Sequence, residues 1–378
     1  MADWASLPTD IIRRVGDVLL DDGDIDYYTG MRSVCHNWRS ATADPRRHGV
    51  GVASIRFHPR QWTMLDKEGS LFINVSTGRF LRRRFPSLPD YREQIVVGIS
   101  DGLLLVEKGY YTDYPDGVIH ILNPLTGHRV LEFKYCPDPE VAGPHRDSIV
   151  DLSTGQFFNQ RRLMAAFAGS EPSLVLSGFP DYCKVHAAMG VDPTSGFIPV
   201  QFLDRPSDAV SMVAYAGHAY TVHEDGSIFK IFGTAQHCRG ELVAKMSDVC
   251  FSHDCFLLES AGELMSVVRR PSEAMEVFMV DVERNLLVPV KTIGSRAFFF
   301  GSNGMGQRLS VDAAKLPSVD ADCIYHTDGT SSFCRYDLKT GTVEDISDFV
   351  YVSSMRRNRY VRPKSFVQAL LRCCWLEP

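Results

Sequence analysis

Residues 117–127 read Gly117-Val118-Ile119-His120-Ile121-Leu122-Asn123-Pro124-Leu125-Thr126-Gly127. Val118 to Leu122 is a short β-rich run, and turn residues follow it directly. In Asn-Pro-Leu-Thr-Gly each residue has a job. The Asn side chain accepts a backbone N–H two residues on, and Pro suits position i+1 of a type I turn. The closing Gly takes the left-handed conformation that ends a bulged hairpin. The same pattern returns at Asn74-Val75-Ser76-Thr77-Gly78, Asp151-Leu152-Ser153-Thr154-Gly155, Asp192-Pro193-Thr194-Ser195-Gly196 and Asp337-Leu338-Lys339-Thr340-Gly341. Asp281-Val282-Glu283-Arg284-Asn285 is a decayed copy with Asn in the Gly position, and Glu224-Asp225-Gly226-Ser227 is a tighter hairpin.

Short apolar runs such as Leu103-Leu104-Leu105-Val106, Ala219-Tyr220-Thr221-Val222 and Ile228-Phe229-Lys230-Ile231-Phe232 fill the space between turns. No long helical period interrupts them from about residue 50 to 350. Most turn copies lie roughly 40–55 residues apart, which is the blade period of propellers. The copy at Asp151 breaks the period. The spacing predicts a mainly-β chain folded as a β-propeller of about six blades over residues 51–350. Closure into a ring would hide the strand edges that so long an all-β chain otherwise exposes. A pair of β-sandwiches is the competing architecture.

Outward toward the N-terminus the texture changes. Asp44-Pro45-Arg46-Arg47-His48-Gly49 is rich in breakers and charge, which sets a helical module at residues 1–45 and a linker at 46–50. Ile11, Val15, Val18 and Leu19 share a face of a first helix, with Pro8 in its first turn and Asp10 at the positive end of its dipole. Asp21-Asp22-Gly23-Asp24 stops that helix and caps the next. On the second helix Tyr27, Met31, Val34, Cys35 and Trp38 share a face. Helices this short cannot bury much of their own apolar surface, so their stripes need a partner. A hairpin packed wholly on its own chain, with Trp38 as a core anchor, is the plainer alternative. At the other end, residues 351–378 hold a basic segment and a helical candidate, Phe366 to Trp375, which fits docking on its own domain better than capture of a partner.

Leu7-Pro8, Ile11-Ile12 and Val34-Cys35 followed by Trp38-Arg39 resemble an F-box, the helical module that docks on the Skp-type adaptor of Skp–cullin–F-box ubiquitin ligases. The resemblance implies that Leu7, Pro8, Ile11, Ile12, Val34, Cys35 and Trp38 contact the adaptor; Val15 joins them by helical phase. The chain departs from the pattern in its acidic loop, Asp21 to Asp26, and at Met31, where bulkier residues are common. Gly98-Ile99-Ser100-Asp101-Gly102-Leu103-Leu104-Leu105, the Asn-Pro-x-Thr-Gly turn and the run from Asp322 to Glu344 resemble the kelch-like β-propeller that follows the F-box in a large set of plant proteins. That second resemblance covers most of residues 50–350. Its motifs are turn motifs and name no substrate.

Composition narrows the function classes. The chain has 378 residues, 44% hydrophobic and 23% charged, as in ordinary globular proteins. A net charge of -6 offers no general attraction to nucleic acid. No apolar run reaches ~18 residues, so no membrane span is expected. No secretory signal is expected from the opening Met-Ala-Asp-Trp, and ten cysteines are then expected to be reduced thiols in the cytoplasm or nucleus. Asn74-Val75-Ser76 would accordingly go unglycosylated.

Candidate chemistry elsewhere is weak. Gly98-Ile99-Ser100-Asp101-Gly102 matches the nucleophile-elbow spacing, but a strand follows where a helix is required. Cys250, His253 and Cys255, with His237-Cys238 nearby, lack the paired spacings that zinc needs. Gly301-Ser302-Asn303-Gly304-Met305-Gly306 lacks the Lys-Ser/Thr ending of a phosphate loop. Arg82-Arg83-Arg84, Arg161-Arg162 and Arg269-Arg270 are expected to be solvated strand ends, and Met355 to Lys364 is a thin localisation signal. No catalytic residue, metal site or cofactor is expected. The expected function is that of a non-catalytic substrate receptor, which binds a Skp-type adaptor, and through it a cullin, and presents a protein client on unidentified propeller loops. A non-ubiquitin interaction scaffold is the alternative, and a propeller hydrolase a more distant one.

Overall fold

The turns fold as their chemistry requires. In the computed structural model Asn123 Oδ1 accepts the N–H groups of Leu125 and Thr126 at 3.1 and 3.2 Å, and Gly127 N–H returns to Asn123 O at 2.9 Å. Asn74 does the same for Ser76 and Thr77, both at 3.0 Å, and Asp337 for Lys339 and Thr340, both at 2.9 Å. Asp281 holds Glu283 and Arg284. Gly127 and the decayed copy's Asn285 close their turns at φ of 66° and 56°, which Gly and Asn tolerate best. Described residues are 4–45, 56–65, 71–82, 94–100, 102–108, 117–135, 149–151, 156–158, 163–167, 174–178, 185–188, 197–203, 206–234, 237–246, 255–301, 307–327, 332–347, 350–353, 359–362 and 365–374. The turn at Asp192 lies outside them, as does most of that at Asp151.

These turns string antiparallel strands into sheets. Gln94–Ser100, Leu103–Lys108, Gly117–Asn123 and His128–Tyr135 form one four-stranded meander. Cys255–Ser260, Glu263–Arg269, Met275–Asp281 and Leu286–Val290 form another. Between them two meanders, spanning 163–202 and 209–245, are joined by parallel pairing of Phe197–Phe202 with His237–Lys245. Gly240 permits that approach, since a Cβ there would lie 2.2 Å from the Phe202 ring. The sheet spanning 296–345 has five strands, and the one spanning 62–82 has three described strands.

Edge strands of successive sheets stand side by side. Gln94–Ser100 lies against Leu163–Phe167, then come Ala209–Tyr215, Cys255–Ser260 and Leu309–Asp312. Apolar clusters fill each gap between sheets. Leu105 and Phe133 meet Phe167 and Leu174, and Val222 and Val243 meet Leu257 and Leu264. Phe256 and Val267 meet Phe298 and Ile324. The last sheet then packs on the first through Phe299, Val311 and Ile73, and Gln307 Nε2 donates to Thr63 Oγ1 at 2.9 Å. This is a mainly-β, propeller-like fold. Two sandwiches would not bring the last sheet back to the first. The misplaced turn at Asp151 sits between Ile149–Asp151 and Gln156–Phe158, a separate hairpin between two sheets, so it marks no repeat.

Helices flank both ends. They are α1 (Thr9–Asp21), α2 (Ile25–Ser33), α3 (His36–Ala41) and α4 (Phe366–Cys374). The single helix expected from Tyr27 to Trp38 is broken. Cys35 is extended, with φ -157° and ψ 172°, and precedes α3. Arg32 explains the fold-back, because its guanidinium reaches Arg39 O, Thr42 O and Ala43 O on the returning chain. α4 docks on its own domain, as expected. Val367, Leu370, Leu371, Cys373 and Cys374 are buried with Ile73, Phe299 and Tyr325.

Candidate functional site

The helical module has two apolar faces. Ile12, Gly16 and Leu20 point inward from α1, with Ile25, Tyr28 and Met31 of α2 beside them. Gly16 is tightly packed, since a Cβ there would come within 3.1 Å of Tyr28. These residues share one core with Phe57, Trp62, Met64, Phe72, Leu104, Val106 and Leu125 of the β-body. The module is therefore docked on the first two sheets. Arg79 strengthens the junction from the β side. Its guanidinium bonds Asp24 at 2.7 Å and Asp26 at 2.9 Å, and lies 3.8 Å from the Tyr27 ring and 4.9 Å from the Trp62 ring.

The opposite face of α1 is bare. Ile11, Val15 and Val18 are 43%, 42% and 54% exposed, and Val34 after α2 is 61% exposed. Pro8 is exposed, while Leu7, Cys35 and Trp38 are half-buried. Ile12 is a correction. It was expected in the partner contact with Ile11, but at 1% exposure it belongs to the inner core. The two isoleucines are one residue apart, so a helix turns them to different faces. Of the predicted face, then, Pro8, Ile11, Val15 and Val34 are free, Leu7, Cys35 and Trp38 are partly so, and Ile12 is not.

The N-terminal turn joins this region. Trp38 Nε1 donates to Trp4 O at 2.9 Å, and Asn37 Nδ2 donates to Ala5 O and Leu7 O at 3.0 and 3.3 Å. Two α3 side chains thus hold Trp4–Ser6 against the module, with the Trp4 ring exposed. Sequence reasoning missed Trp4 and Arg79. A lone aromatic near a terminus gives little signal, and Arg79 stands beyond the module whose charges it meets.

The described residues place only some of the other candidates. Ser100 pairs with Leu103 across a tight hairpin, and a Cβ on Gly102 would strike Pro59 O at 1.9 Å, so that turn is shaped by packing. Asp101 lies outside the described residues, as do Cys250, His253, residues 302–306, Arg83, Arg84, Arg161, Arg162 and most of Met355 to Lys364. Cys255 is fully buried, and burial raises the Cys238 thiol pKa to about 11. Arg269 and Arg270 pair with Glu273 and Glu276. Among the described residues no group of His, Cys, Asp and Glu is placed to hold a metal ion, and no helix is long and apolar enough to cross a membrane.

Among solved structures, the chain is similar to an uncharacterised protein from Listeria monocytogenes, with 9% identity, 79% of this chain and 85% of that chain covered, and a TM-score of 0.34. It is similar to YCF48 from Cyanidioschyzon merolae, with 11% identity, 68% and 86% covered, and a TM-score of 0.29. It is also similar to the computationally designed Ika8 protein, with 14% identity, 74% and 81% covered, and a TM-score of 0.29. A search of curated proteins found no match. The family model of the KIB1-4 beta-propeller matches residues 72–351, well over half of the sequence, and the chain belongs to that family.

Proposed function

We propose that this protein is the substrate receptor of a Skp–cullin–F-box ubiquitin ligase, of the kind plants make in large numbers. Residues 4–45 act as the F-box and hold a Skp-type adaptor, which connects to the cullin. The β-body is a six-bladed propeller, a count supported by six successive strand groups among the described residues, at 62–82, 94–135, 163–202, 209–245, 255–290 and 296–345, the third and fourth of them joined in one eight-stranded sheet. Its loops carry a protein client, as rigid scaffolds usually do. The chain supplies no acid, base or nucleophile. Transfer is promoted by holding the client beside the ubiquitin-charged enzyme of the complex. The working compartment is the cytoplasm or nucleus.

One observation carries this reading. The α1 stripe Ile11-Val15-Val18 stays exposed although the other face of the same helix is buried in the core that the module shares with the β-body. Apolar side chains grouped on one outward face favour association, because burying them removes apolar area from water at about 25 cal/mol per Å2. The test is co-elution of the full chain with a purified Skp-type adaptor on size exclusion. Wild type is expected to co-elute, and Ile11→Asp/Val15→Asp to elute alone with unchanged circular dichroism. Separate elution of the wild type overturns the proposal.

A further inference from the structure

The acidic loop of the helical module is the feature that the proposed adaptor contact leaves unexplained. Two of its carboxylates point back into the molecule. Asp24 caps α2 by accepting Tyr27 N–H at 3.2 Å, and the same Oδ1 takes Arg79 Nη2. Asp26 takes Nη1. The two aromatic contacts of the guanidinium come from different parts of the molecule, Tyr27 from the module and Trp62 from the first sheet. Arg79 itself stands on a braced turn. Its carbonyl accepts Asn74 N–H at 2.9 Å, and the neighbouring Gly78 sits so close to the turn after Leu309–Asp312 that a Cβ would be 2.9 Å from Lys315 O.

Hydrophobic burial between the module and the β-body supplies attraction that is itself non-directional, so the angle depends on how the core interlocks and on directional contacts at its edge. A guanidinium with two carboxylates and two ring faces is directional, and both carboxylates are largely shielded from water. The exposed Arg56–Asp17 pair at the same junction adds little by comparison. We propose that Arg79 is a positioning residue that fixes the angle between the exposed α1 stripe and the propeller. This rests on the proposed function, in which that angle sets where a client stands relative to the ubiquitin donor.

The test uses the full chain with spin labels on unnatural amino acids at Arg14 and Glu263, which avoids the ten native cysteines. Wild type is expected to give one narrow distance. Arg79→Ala is expected to broaden it at least about twofold as alternative module angles become populated. Asp24→Asn/Asp26→Asn is expected to do the same while keeping the helix cap, since Asn caps as well as Asp. Adaptor affinity is expected to stay within about twofold of wild type, because the stripe is untouched. In the reconstituted ligase both variants are expected to spread ubiquitin over more of the chain's own lysines. An unchanged distance width in both variants overturns the proposal, and so does an unchanged lysine pattern despite broadening. Failure of wild type to bind the adaptor at all sinks the proposed function, while the distance measurement still decides whether Arg79 sets the angle.

Discussion

Asn123 shows how one side chain can fix a piece of this fold. Its Oδ1 holds two backbone N–H groups of its own turn, and its Nδ2 donates to Phe57 O at 2.8 Å on the segment leading into the first sheet. It is buried, so Asn123→Ala leaves those partners without water to replace it. The expected loss is about 2–3 kcal/mol, read as a lower urea midpoint with an unchanged m-value. Asp337→Ala removes the same turn bonds at an exposed position and is expected to cost less. A second residue sets a pH response. His223 is fully buried, with Nδ1 donating to Ser207 O at 2.7 Å and Nε2 beside Thr221 Oγ1. Burial depresses its pKa, and the Ser207 bond and the Asp225 and Asp208 carboxylates oppose this without cancelling it. The unfolded chain therefore takes up more protons once pH falls below about 6.5, the ordinary histidine value. Stability is full above that value and declines below it. Urea midpoints should fall between about pH 7 and 5 in wild type and fall less in His223→Gln, where His218, whose pKa burial also lowers, keeps part of the response; an equal fall in both would contradict this assignment. The Asx turns could be seen in the sequence because their bonds span only two or three residues. The surroundings of His223 could not, because the bond to Ser207 O comes from outside its own strand.

At the scale of elements, α1 was legible as a helix but only half legible as a surface. Apolar periodicity located the helix, and Ile12, Gly16 and Leu20 are buried while Ile11, Val15 and Val18 face water. With apolar residues on both sides, the pattern alone does not say which side is the core. A paired substitution separates them. Ile12→Ala is expected to destabilise the protein by about 2–5 kcal/mol through the cavity it leaves, with adaptor affinity of the folded fraction retained. Ile11→Ala is expected to change stability by no more than about 0.5 kcal/mol while weakening adaptor binding. Equal effects of the two on stability would contradict the assignment of faces. The break between α2 and α3 escaped sequence reasoning because its cause, Arg32 reaching carbonyls 7 to 11 residues later, is a tertiary contact. The C-terminal helix was read correctly because Phe366, Leu370, Cys373 and Cys374 recur at helical spacing.

For the whole molecule, turn spacing led to the propeller-like fold because each sheet repeats the same strand–turn logic. It did not reveal that the first sheet is the meeting point of both chain ends. Helices α1 and α2 cover it from one side, while the last sheet and α4 pack on Ile73 and neighbouring residues. Trp62 shares a core with the module and borders Arg79, so the first sheet links the helical module to the body. Such a body is suited to holding two partners at a fixed separation, one on the module and one on the loops. The central claim is that the bare face of α1, with the Val34–Trp38 segment, receives the adaptor. Hydrogen exchange of the full chain, with and without a purified Skp-type adaptor, tests it directly. Slowed exchange is expected in peptides covering 7–18 and 34–38, with the strands of 94–345 unchanged. Protection confined to the β-body, or absent throughout under saturating adaptor, would contradict it.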